Sequence, residues 1–193
     1  MYKIDFSKPI HIHFIGIGGI SMSGLAEILH EESFTISGSD SKESDLTKTL
    51  AAKGIKVIYG QSADNITSDI DLVVYTAAIH ESNPEFAAAK AAGIPMLTRA
   101  ELLGQIMDNY DYSIAVAGTH GKTTTTSMIS EILLAAQTDP TISVGGILSS
   151  IHGNLRVGDS EYFISEACEY TNSFLNFRPR YSIILNIEAE HLD

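Results

Sequence analysis

The stretch Ala117-Gly118-Thr119-His120-Gly121-Lys122-Thr123-Thr124 is the most informative part of this chain. It follows the apolar run Ile114-Ala115-Val116 and leads into a helix-like segment from Thr125 to Ala136. This order is typical of a phosphate-binding loop, in which backbone N–H groups and the positive end of a helix surround a phosphate. Lys122 would reach the β and γ oxygens, and Thr123 would offer its hydroxyl to Mg²⁺. The sequence therefore predicts binding of a nucleoside triphosphate.

The loop departs from the general pattern G-x-x-x-x-G-K-[ST], which needs glycine where this sequence has Val116. It has the shorter form Gly-Thr-His-Gly-Lys-Thr-Thr. A Gly-Lys-Thr triplet occurs by chance in ordinary turns, and such a turn is the alternative interpretation. It does not explain the strand, the two glycines, the Lys-Thr-Thr and the helix together.

Composition and charge limit the class of protein. The sequence has 193 residues, 44% of them hydrophobic, which suits one large domain or one small domain plus part of another. No apolar run reaches the roughly 18 residues of a membrane span, and the N-terminus lacks the features of a signal peptide, so we expect a cytoplasmic location. The single cysteine, Cys168, excludes an intrachain disulfide. A net charge of -12 argues against a nucleic-acid partner.

Through the first hundred residues, apolar runs typical of strands alternate with helix-like runs. This alternation predicts parallel strands joined by crossover helices, and hence an α/β fold with a Rossmann-like parallel sheet. Pro84 suits the first turn of a helix, and Gly54 and Gly93 are expected as left-handed caps. The predicted strands are 10–15, 34–37, 55–59 and 72–76, and the predicted helices are 20–30, 45–53 and 84–92.

A domain boundary is predicted at the polar stretch Asp108-Asn109-Tyr110-Asp111, which lies between a helix-like segment, 99–107, and the strand before the phosphate loop. Residues 1–108 are expected to form the Rossmann-like domain. Residues 109–193 are expected to form the first part of a P-loop-type α/β ATPase domain, with a turn at Gly145-Gly146. The sequence ends too early for a complete nucleotide-binding sheet of ordinary size, which indicates a truncated chain.

A second glycine-rich turn, Gly16-Ile17-Gly18-Gly19-Ile20-Ser21, follows the first predicted strand. It matches G-x-G-x-x-G only with Ser21 in place of the third glycine. The backbone around Gly18 and Gly19 nevertheless suits a phosphate, because a side chain there would block the N–H groups. The next strand ends in Ser37-Gly38-Ser39-Asp40, where a Rossmann fold places an acid for a ribose hydroxyl.

Three interpretations of this turn stay open. It could bind NAD, although a dehydrogenase has no need of a triphosphate loop immediately downstream. It could instead hold a nucleotide-linked substrate by its diphosphate. It could also be a plain tight corner between a strand and a helix, where glycine is common.

Acidic residues follow two strand-like runs of the second half. Glu166 comes directly after the run 162–165, and Glu188, Glu190 and His191 come after the next run. Acids at the carboxyl ends of strands beside a phosphate loop are candidates for Mg²⁺, which favours one or two carboxylates plus phosphate oxygens and waters. Glu166 is the best candidate. Glu188 and Glu190 are expected in a solvated loop, and the chemistry alone leaves His191 undecided.

His11 and His13 alternate with apolar residues on the first predicted strand, so their side chains share a face. Buried polar groups in such positions are usually hydrogen-bonded structural residues. We therefore expect these histidines to be structural rather than ligands.

Taken together, these motifs resemble those of the Mur ligases. The resemblance covers essentially the whole sequence in the right order, and the combination is far more specific than any single motif. It implies a Rossmann-like domain for a UDP sugar, a central ATPase domain and a C-terminal domain for an amino acid, of which this chain would hold the first and the opening part of the second. The segments that carry it are Gly16 to Gly24, Ser37 to Asp40, Arg99 to Glu101, Ala117 to Thr126, Glu166 to Glu169 and Asn186 to Asp193.

The resemblance also implies an activity. ATP would phosphorylate the carboxylate of UDP-N-acetylmuramate, and the amine of L-alanine would attack the acyl phosphate to form an amide for peptidoglycan synthesis. ATP and Mg²⁺ would be required, and the protein would act by positioning and charge neutralisation. A fragment of this length is expected to bind the UDP sugar at best and to be inactive alone.

The same resemblance implies roles for individual residues. Lys122 and His191 would be catalytic, with Lys122 on the ATP phosphates and His191 near a second Mg²⁺ and the reacting carboxylate. Thr123 and Glu166 would ligate the first Mg²⁺. The ATP phosphates would contact Gly118, Thr119, His120, Gly121, Lys122, Thr123 and Thr124. The UDP sugar would contact Gly18, Gly19, Ile20, Ser21, Ser39, Asp40, Thr76, Ala77 and Ala78.

Two departures and three alternatives accompany this interpretation. Ser21 stands where most relatives have glycine, and Glu169-Tyr170-Thr171-Asn172 differs from the acid-rich variant of that segment. Within the family, the murein-peptide recycling ligase shares the phosphate loop, although its first glycine turn differs. An NAD-binding redox or sensor protein, or a plain ATPase or kinase, are the alternatives outside the family.

Overall fold

The computed structural model describes residues 2–167 and 170–188. The chain divides into two compact units, Met1–Leu102 and Leu103–Asp193. Each unit contains a five-stranded sheet. The fold class is therefore α/β, as the alternation of strands and helices predicted.

The first unit alternates strands and helices along the chain. Its elements are β1 His11–Ile15, α1 Ile20–Glu31, β2 Thr35–Asp40, α2 Asp45–Ala52, β3 Lys56–Tyr59, β4 Leu72–Tyr75, α3 Pro84–Ala92 and β5 Met96–Thr98, with a short 3₁₀ helix at Ala63–Asn65. The strands are parallel in the order β3-β2-β1-β4-β5. The next helix, α4 Arg99–Met107, contains the boundary between the two units.

Strand β1 lies at the centre of this sheet, and its side chains are buried on both faces. Ile12, Phe14 and Ile15 have no exposed surface, and Val73 and Val74 of the neighbouring β4 have none either. A parallel sheet covered on both sides requires such continuous apolar runs. All carboxyl ends of these parallel strands lie at the same edge, which brings the loops that follow β1, β2 and β4 together.

Helix α3 has the ends that its sequence predicted. Pro84 is its first residue, and the Asn83 side chain accepts hydrogen bonds from the N–H groups of Glu85 and Phe86. Gly93 caps the other end in the left-handed conformation, with φ 68°. The helix therefore starts and stops where local chemistry favours it.

The second unit consists of β6 Tyr112–Ala117, α5 Lys122–Ala135, β7 Thr141–Leu148, β8 Gly153–Arg156, β9 Tyr162–Glu166 and β10 Tyr181–Ile184, with short 3₁₀ helices at Ser149–Ile151 and Tyr170–Asn176. The strand order is β10-β6-β9-β7-β8. Strands β7 and β8 are antiparallel, and the other neighbours are parallel.

The prediction of a turn at Gly145-Gly146 is wrong, because both glycines lie inside β7. The strand begins with Thr141-Ile142-Ser143-Val144, in which Ile142 and Val144 are buried, and it continues through the glycines to Leu148. Neither glycine has a positive φ. The backbone is therefore extended here, although glycine pairs more often mark turns.

None of the helices in the described ranges combines the length and the apolar character needed to cross a bilayer.

Candidate functional site

The predicted phosphate loop connects β6 to α5. Gly118 has φ 143° and Gly121 has φ 84°, so both adopt backbone conformations that L side chains rarely take. The helix begins at Lys122, three residues before the start that the sequence suggested, because Gly121 turns the chain directly into it. No side chain caps this helix N-terminus. Its first N–H groups therefore face the loop and can receive an anion.

Lys122 is folded onto the loop that it follows. Its ammonium donates hydrogen bonds to the carbonyl oxygens of Gly118 and Thr119. A cation is thus held among backbone groups at the place where the sequence predicted phosphate contacts.

A segment after β10 fixes the shape of the loop. Asn186 Oδ1 accepts from the His120 N–H at 2.9 Å, and Asn186 Nδ2 donates to the His120 carbonyl oxygen at 3.0 Å. The Glu188 N–H donates to Thr119 Oγ1 at 3.1 Å. Sequence reasoning had no signal for this paired amide contact, because its partners lie 66 residues apart.

Thr123 and Glu166, the two residues expected to ligate Mg²⁺, lie together. Thr123 Oγ1 donates to Glu166 Oε2 at 3.2 Å, and the Gly145 N–H donates to Glu166 Oε1 at 2.6 Å. One hydroxyl and one carboxylate beside a phosphate loop match the hard oxygen donors that Mg²⁺ uses together with phosphate oxygens and waters. The residues present therefore fit this ion.

His191, expected near a second Mg²⁺, lies outside the described residues, as do Cys168, Glu169 and Glu190. Glu188, expected in a solvated loop, is largely exposed, and its carboxylate lies 3.7 Å from His120 Nε2.

In the first unit, the end of β2 holds the glycine-rich turn. The N–H groups of Gly16 and Ile17 donate to the Ser39 carbonyl oxygen at 2.8 and 2.9 Å. The Gly18 N–H donates to Asp40 Oδ2 at 2.9 Å. A Cβ atom on Gly18 would lie 2.7 Å from the same carboxylate oxygen. Asp40 thus binds the turn itself, whereas the sequence had suggested only a contact with a ribose hydroxyl or with the UDP sugar.

Helix α1 begins directly after this turn and has no acidic residue or side-chain cap at its N-terminus. The Arg99 guanidinium donates to Ser21 Oγ in the first turn of the helix at 3.1 Å. Arg99 therefore brings a positive charge to a site that already suits an anion. Sequence reasoning had noted Arg99 as part of a motif but had given it no role.

The segment Thr76, Ala77 and Ala78 follows the end of β4, at the same edge of the sheet as the glycine-rich turn. The Ala78 N–H donates to Thr76 Oγ1, and both alanines are exposed. The structure thus places all of the residues expected to contact the UDP sugar at the carboxyl ends of β1, β2 and β4.

A buried polar network lies beneath the end of β2. Ser37 Oγ contacts His11 Nε2 and His13 Nδ1 at 2.8 and 2.9 Å, so each histidine has a hydrogen-bond partner as expected, although the buried His13 Nε2 has none among the described residues. Glu85, fully buried, accepts from Ser39 Oγ and Asn65 Nδ2, each at 2.5 Å.

The carboxylate of Glu85 is ionised at neutral pH despite its burial. Burial acts to raise its pKa, but nearby His13 and the hydrogen bonds from Ser39 and Asn65 outweigh this effect and hold the pKa of Glu85 below its ordinary value. His13 Nε2 lies 3.9 Å from Glu85 Oε1. Sequence reasoning missed Glu85, since nothing near it in the sequence distinguishes a buried acid from a surface acid in the first turn of a helix.

These features define an α/β protein with two glycine-rich turns, each of which opens a helix without a side-chain cap, and the second turn lies beside Lys122, Thr123 and Glu166. Residues 11–111 match the model of the Mur ligase family, catalytic domain, and residues 116–193 match the Mur ligase middle domain. The chain belongs to the Mur ligase family.

Two curated relatives cover the whole chain. The UDP-N-acetylmuramate--L-alanine ligase of Agathobacter rectalis is 98% identical over 193 residues, and that of Lachnospira eligens is 71% identical. The chain spans 42% of the length of each of these relatives.

Solved structures agree with this family. The UDP-N-acetylmuramate-alanine ligase of Thermotoga maritima is 36% identical with a TM-score of 0.84, over 95% of this chain and 43% of that protein. A ligase from Neisseria meningitides, which joins UDP-N-acetylmuramate and L-alanyl-gamma-D-glutamyl-meso-diaminopimelate, is 31% identical with a TM-score of 0.86, over 96% of this chain and 63% of that protein.

Proposed function

We propose that this chain forms the UDP-sugar-binding part and the beginning of the ATP-binding part of a ligase that joins L-alanine to UDP-N-acetylmuramate in peptidoglycan synthesis. The observation that carries the proposal is the contact of Thr123 with Glu166 beside the phosphate loop. The 98% identity to an alanine ligase over the whole chain supports alanine over the tripeptide of the recycling ligase. We also propose that the protein is cytoplasmic and that the domains are residues 1–108 and 109–193, which places their boundary just after helix α4 rather than within it, where the two compact units divide.

In the proposed reaction, a carboxylate oxygen of UDP-N-acetylmuramate attacks the γ-phosphorus of ATP, and ADP leaves. The amine of L-alanine then attacks the carbonyl carbon of the acyl phosphate, loses a proton, and inorganic phosphate leaves as the amide forms. The protein contributes position and charge rather than covalent chemistry.

The sequence alone led us to expect that this fragment binds only the UDP sugar. Because the phosphate loop, Thr123 and Glu166 lie together in this chain, we propose that its second unit also binds the ATP phosphates. The N–H groups from Gly118 to Thr124 would surround them, and Lys122 would exchange its contacts with loop carbonyls for contacts with the β and γ oxygens. Thr123 and Glu166 would hold Mg²⁺, which neutralises charge on the phosphate oxygens when bound. His191 is proposed near the reacting carboxylate on the resemblance alone.

The residues of the first unit would serve the UDP sugar. Its diphosphate would lie at the start of α1, where the N–H groups around Gly19, Ile20 and Ser21 and the guanidinium of Arg99 offer positive charge. Asp40 and Ser39 would set the shape of the turn that receives it, and the segment from Thr76 to Ala78 would border the same ligand.

Thermal stability with and without ligands tests this proposal. A ligand that binds only the folded state stabilises it by RT ln(1 + [L]/Kd), about 2.7 kcal/mol at a concentration of 100 Kd. Unfolding of this chain is therefore measured with UDP-N-acetylmuramate, with NAD and with ATP plus Mg²⁺ at matched concentrations. We expect UDP-N-acetylmuramate to raise the Tm by several degrees and NAD to leave it unchanged. A rise with NAD and none with the UDP sugar would overturn the proposal.

A further inference from the structure

Gly145 lies on β7 beside the carboxylate that is proposed to bind Mg²⁺. Strand β7 pairs with β9 from Thr141 to Ser143. Two residues further on, the Gly145 N–H donates to Glu166 Oε1. The other oxygen of this carboxylate accepts from Thr123 Oγ1. The two contacts together fix the direction in which Glu166 points.

The absence of a side chain at Gly145 is what leaves room for this carboxylate. A Cβ atom there would lie 2.8 Å from Glu166 Oε2 and 3.1 Å from Oε1. The backbone of Gly145 does not need glycine for its own sake, since its φ is not positive. A side chain at Gly146 would also crowd the site, but less closely, because a Cβ atom there would lie 3.2 Å from Thr123 Cγ2.

We infer that Gly145 is a positioning residue for the Mg²⁺ site: its N–H holds one oxygen of Glu166, and its missing side chain leaves the space that the carboxylate needs beside Thr123. This inference rests on the proposed ATP- and Mg²⁺-dependent function. The carboxylate is the end of the flexible Glu166 side chain. A methyl group at position 145 therefore displaces the carboxylate and leaves the strand in place. Gly145→Ala is therefore expected to weaken metal binding while the fold persists.

The hydrogen bond itself is tested without metal. The amide resonance of Gly145 is followed by ¹H–¹⁵N NMR in the unaltered chain and in Glu166→Ala. Loss of a charged acceptor is expected to move this amide proton clearly upfield. An unchanged resonance would contradict the contact on which the inference depends.

The metal site is tested with Mn²⁺ as a spectroscopic substitute for Mg²⁺. Free Mn²⁺ is measured by EPR during titration in the presence of ATP, for the unaltered chain, Gly145→Ala and Gly153→Ala, and the Mn²⁺ bound by the same concentration of ATP without protein is measured separately and subtracted. The control is matched because Gly153 lies on the adjacent β8, where the nearest atoms to an added Cβ are 3.9 Å away. Far-UV circular dichroism of each variant checks that the fold persists.

We expect Gly145→Ala to bind Mn²⁺ about 10-fold to 100-fold more weakly, which is the usual cost of losing a contact that orients a metal ligand. Gly153→Ala is expected to stay within about twofold of the unaltered chain, because it touches no such ligand. Equal affinities for Gly145→Ala and the unaltered chain would overturn the inference and leave the proposed function standing. No binding of Mn²⁺ by the unaltered chain would overturn the metal site and the inference together.

Discussion

Replacement of Glu85 is the sharpest test of the buried network in the first unit. Glu85→Ala leaves the hydroxyl of Ser39 and the amide of Asn65 without their acceptor. Each unsatisfied buried donor costs roughly 1–3 kcal/mol, so for these two donors we expect Glu85→Ala to lower the free energy of unfolding by about 2–6 kcal/mol. Glu85→Gln keeps the shape but replaces one acceptor oxygen by a donor, and we expect it to cost about 1–3 kcal/mol.

The pH dependence of stability separates the contribution of the charge of Glu85 from the contribution of its shape. A carboxyl group whose pKa is lower in the folded state contributes stability that is fully present above its unfolded pKa, about 4.3, and is lost as the pH falls through the folded value. The stability difference between the unaltered chain and Glu85→Gln should therefore be constant from neutral pH to about pH 5 and shrink below about pH 4.

Urea unfolding followed by far-UV circular dichroism at a series of pH values measures this difference. Glu81→Gln is a matched control, because it removes the same charge from an exposed carboxylate that pairs with Lys90, and screened exposed pairs contribute little. Parallel loss of stability in the unaltered chain and Glu85→Gln throughout the acid range would refute the idea that ionised Glu85 stabilises this unit.

Three further predictions concern the two glycine-rich sites. Lys122→Met should abolish stabilisation of the chain by ATP and Mg²⁺ in thermal unfolding, and an undiminished shift would remove Lys122 from the site. Asp40→Ala should weaken UDP-N-acetylmuramate binding about tenfold in calorimetry, since the loss of one charge-assisted hydrogen bond to the turn costs about 1.5 kcal/mol. Asn186→Ala should weaken ATP binding without affecting the UDP sugar, because the two side-chain hydrogen bonds of Asn186 go to His120 of the phosphate loop. Equal losses for both ligands would indicate general destabilisation.

The fold could be predicted where local signals agreed. Strands β1 and β4 are apolar runs between turn residues, and α3 carries a proline and a glycine at its two ends, so their positions follow from short stretches of sequence. Strand β5 has three residues, too few for a periodic signal. Strand β7 was missed because Gly145-Gly146 has the composition of a turn, and only pairing with β8 and β9 extends it.

The candidate site also has residues that local sequence predicts and residues that it does not. The residues of the phosphate loop are contiguous, so a motif finds them. Glu85, Arg99 and Asn186 act on partners 46, 78 and 66 residues away, and no window of sequence contains both members of such a pair. The fold brings the two members of each pair together at the edge of a sheet. Their proximity is therefore known only once the strand order is known.

The two glycine-rich turns have the same local backbone arrangement, but the positive charge beside each turn comes from a different part of the chain. Each follows a strand that has neighbours on both sides and opens a helix without a side-chain cap, so each exposes N–H groups to an anion. The phosphate loop carries its cation within itself, as Lys122. The turn after β1 contains no lysine or arginine, and its neighbouring cation is Arg99, at the start of α4. An anion at the first turn therefore depends on correct packing of a distant helix start, whereas the phosphate loop depends on its own sequence. This difference explains why the sequence predicted the phosphate loop much more clearly than the anion site at the turn after β1.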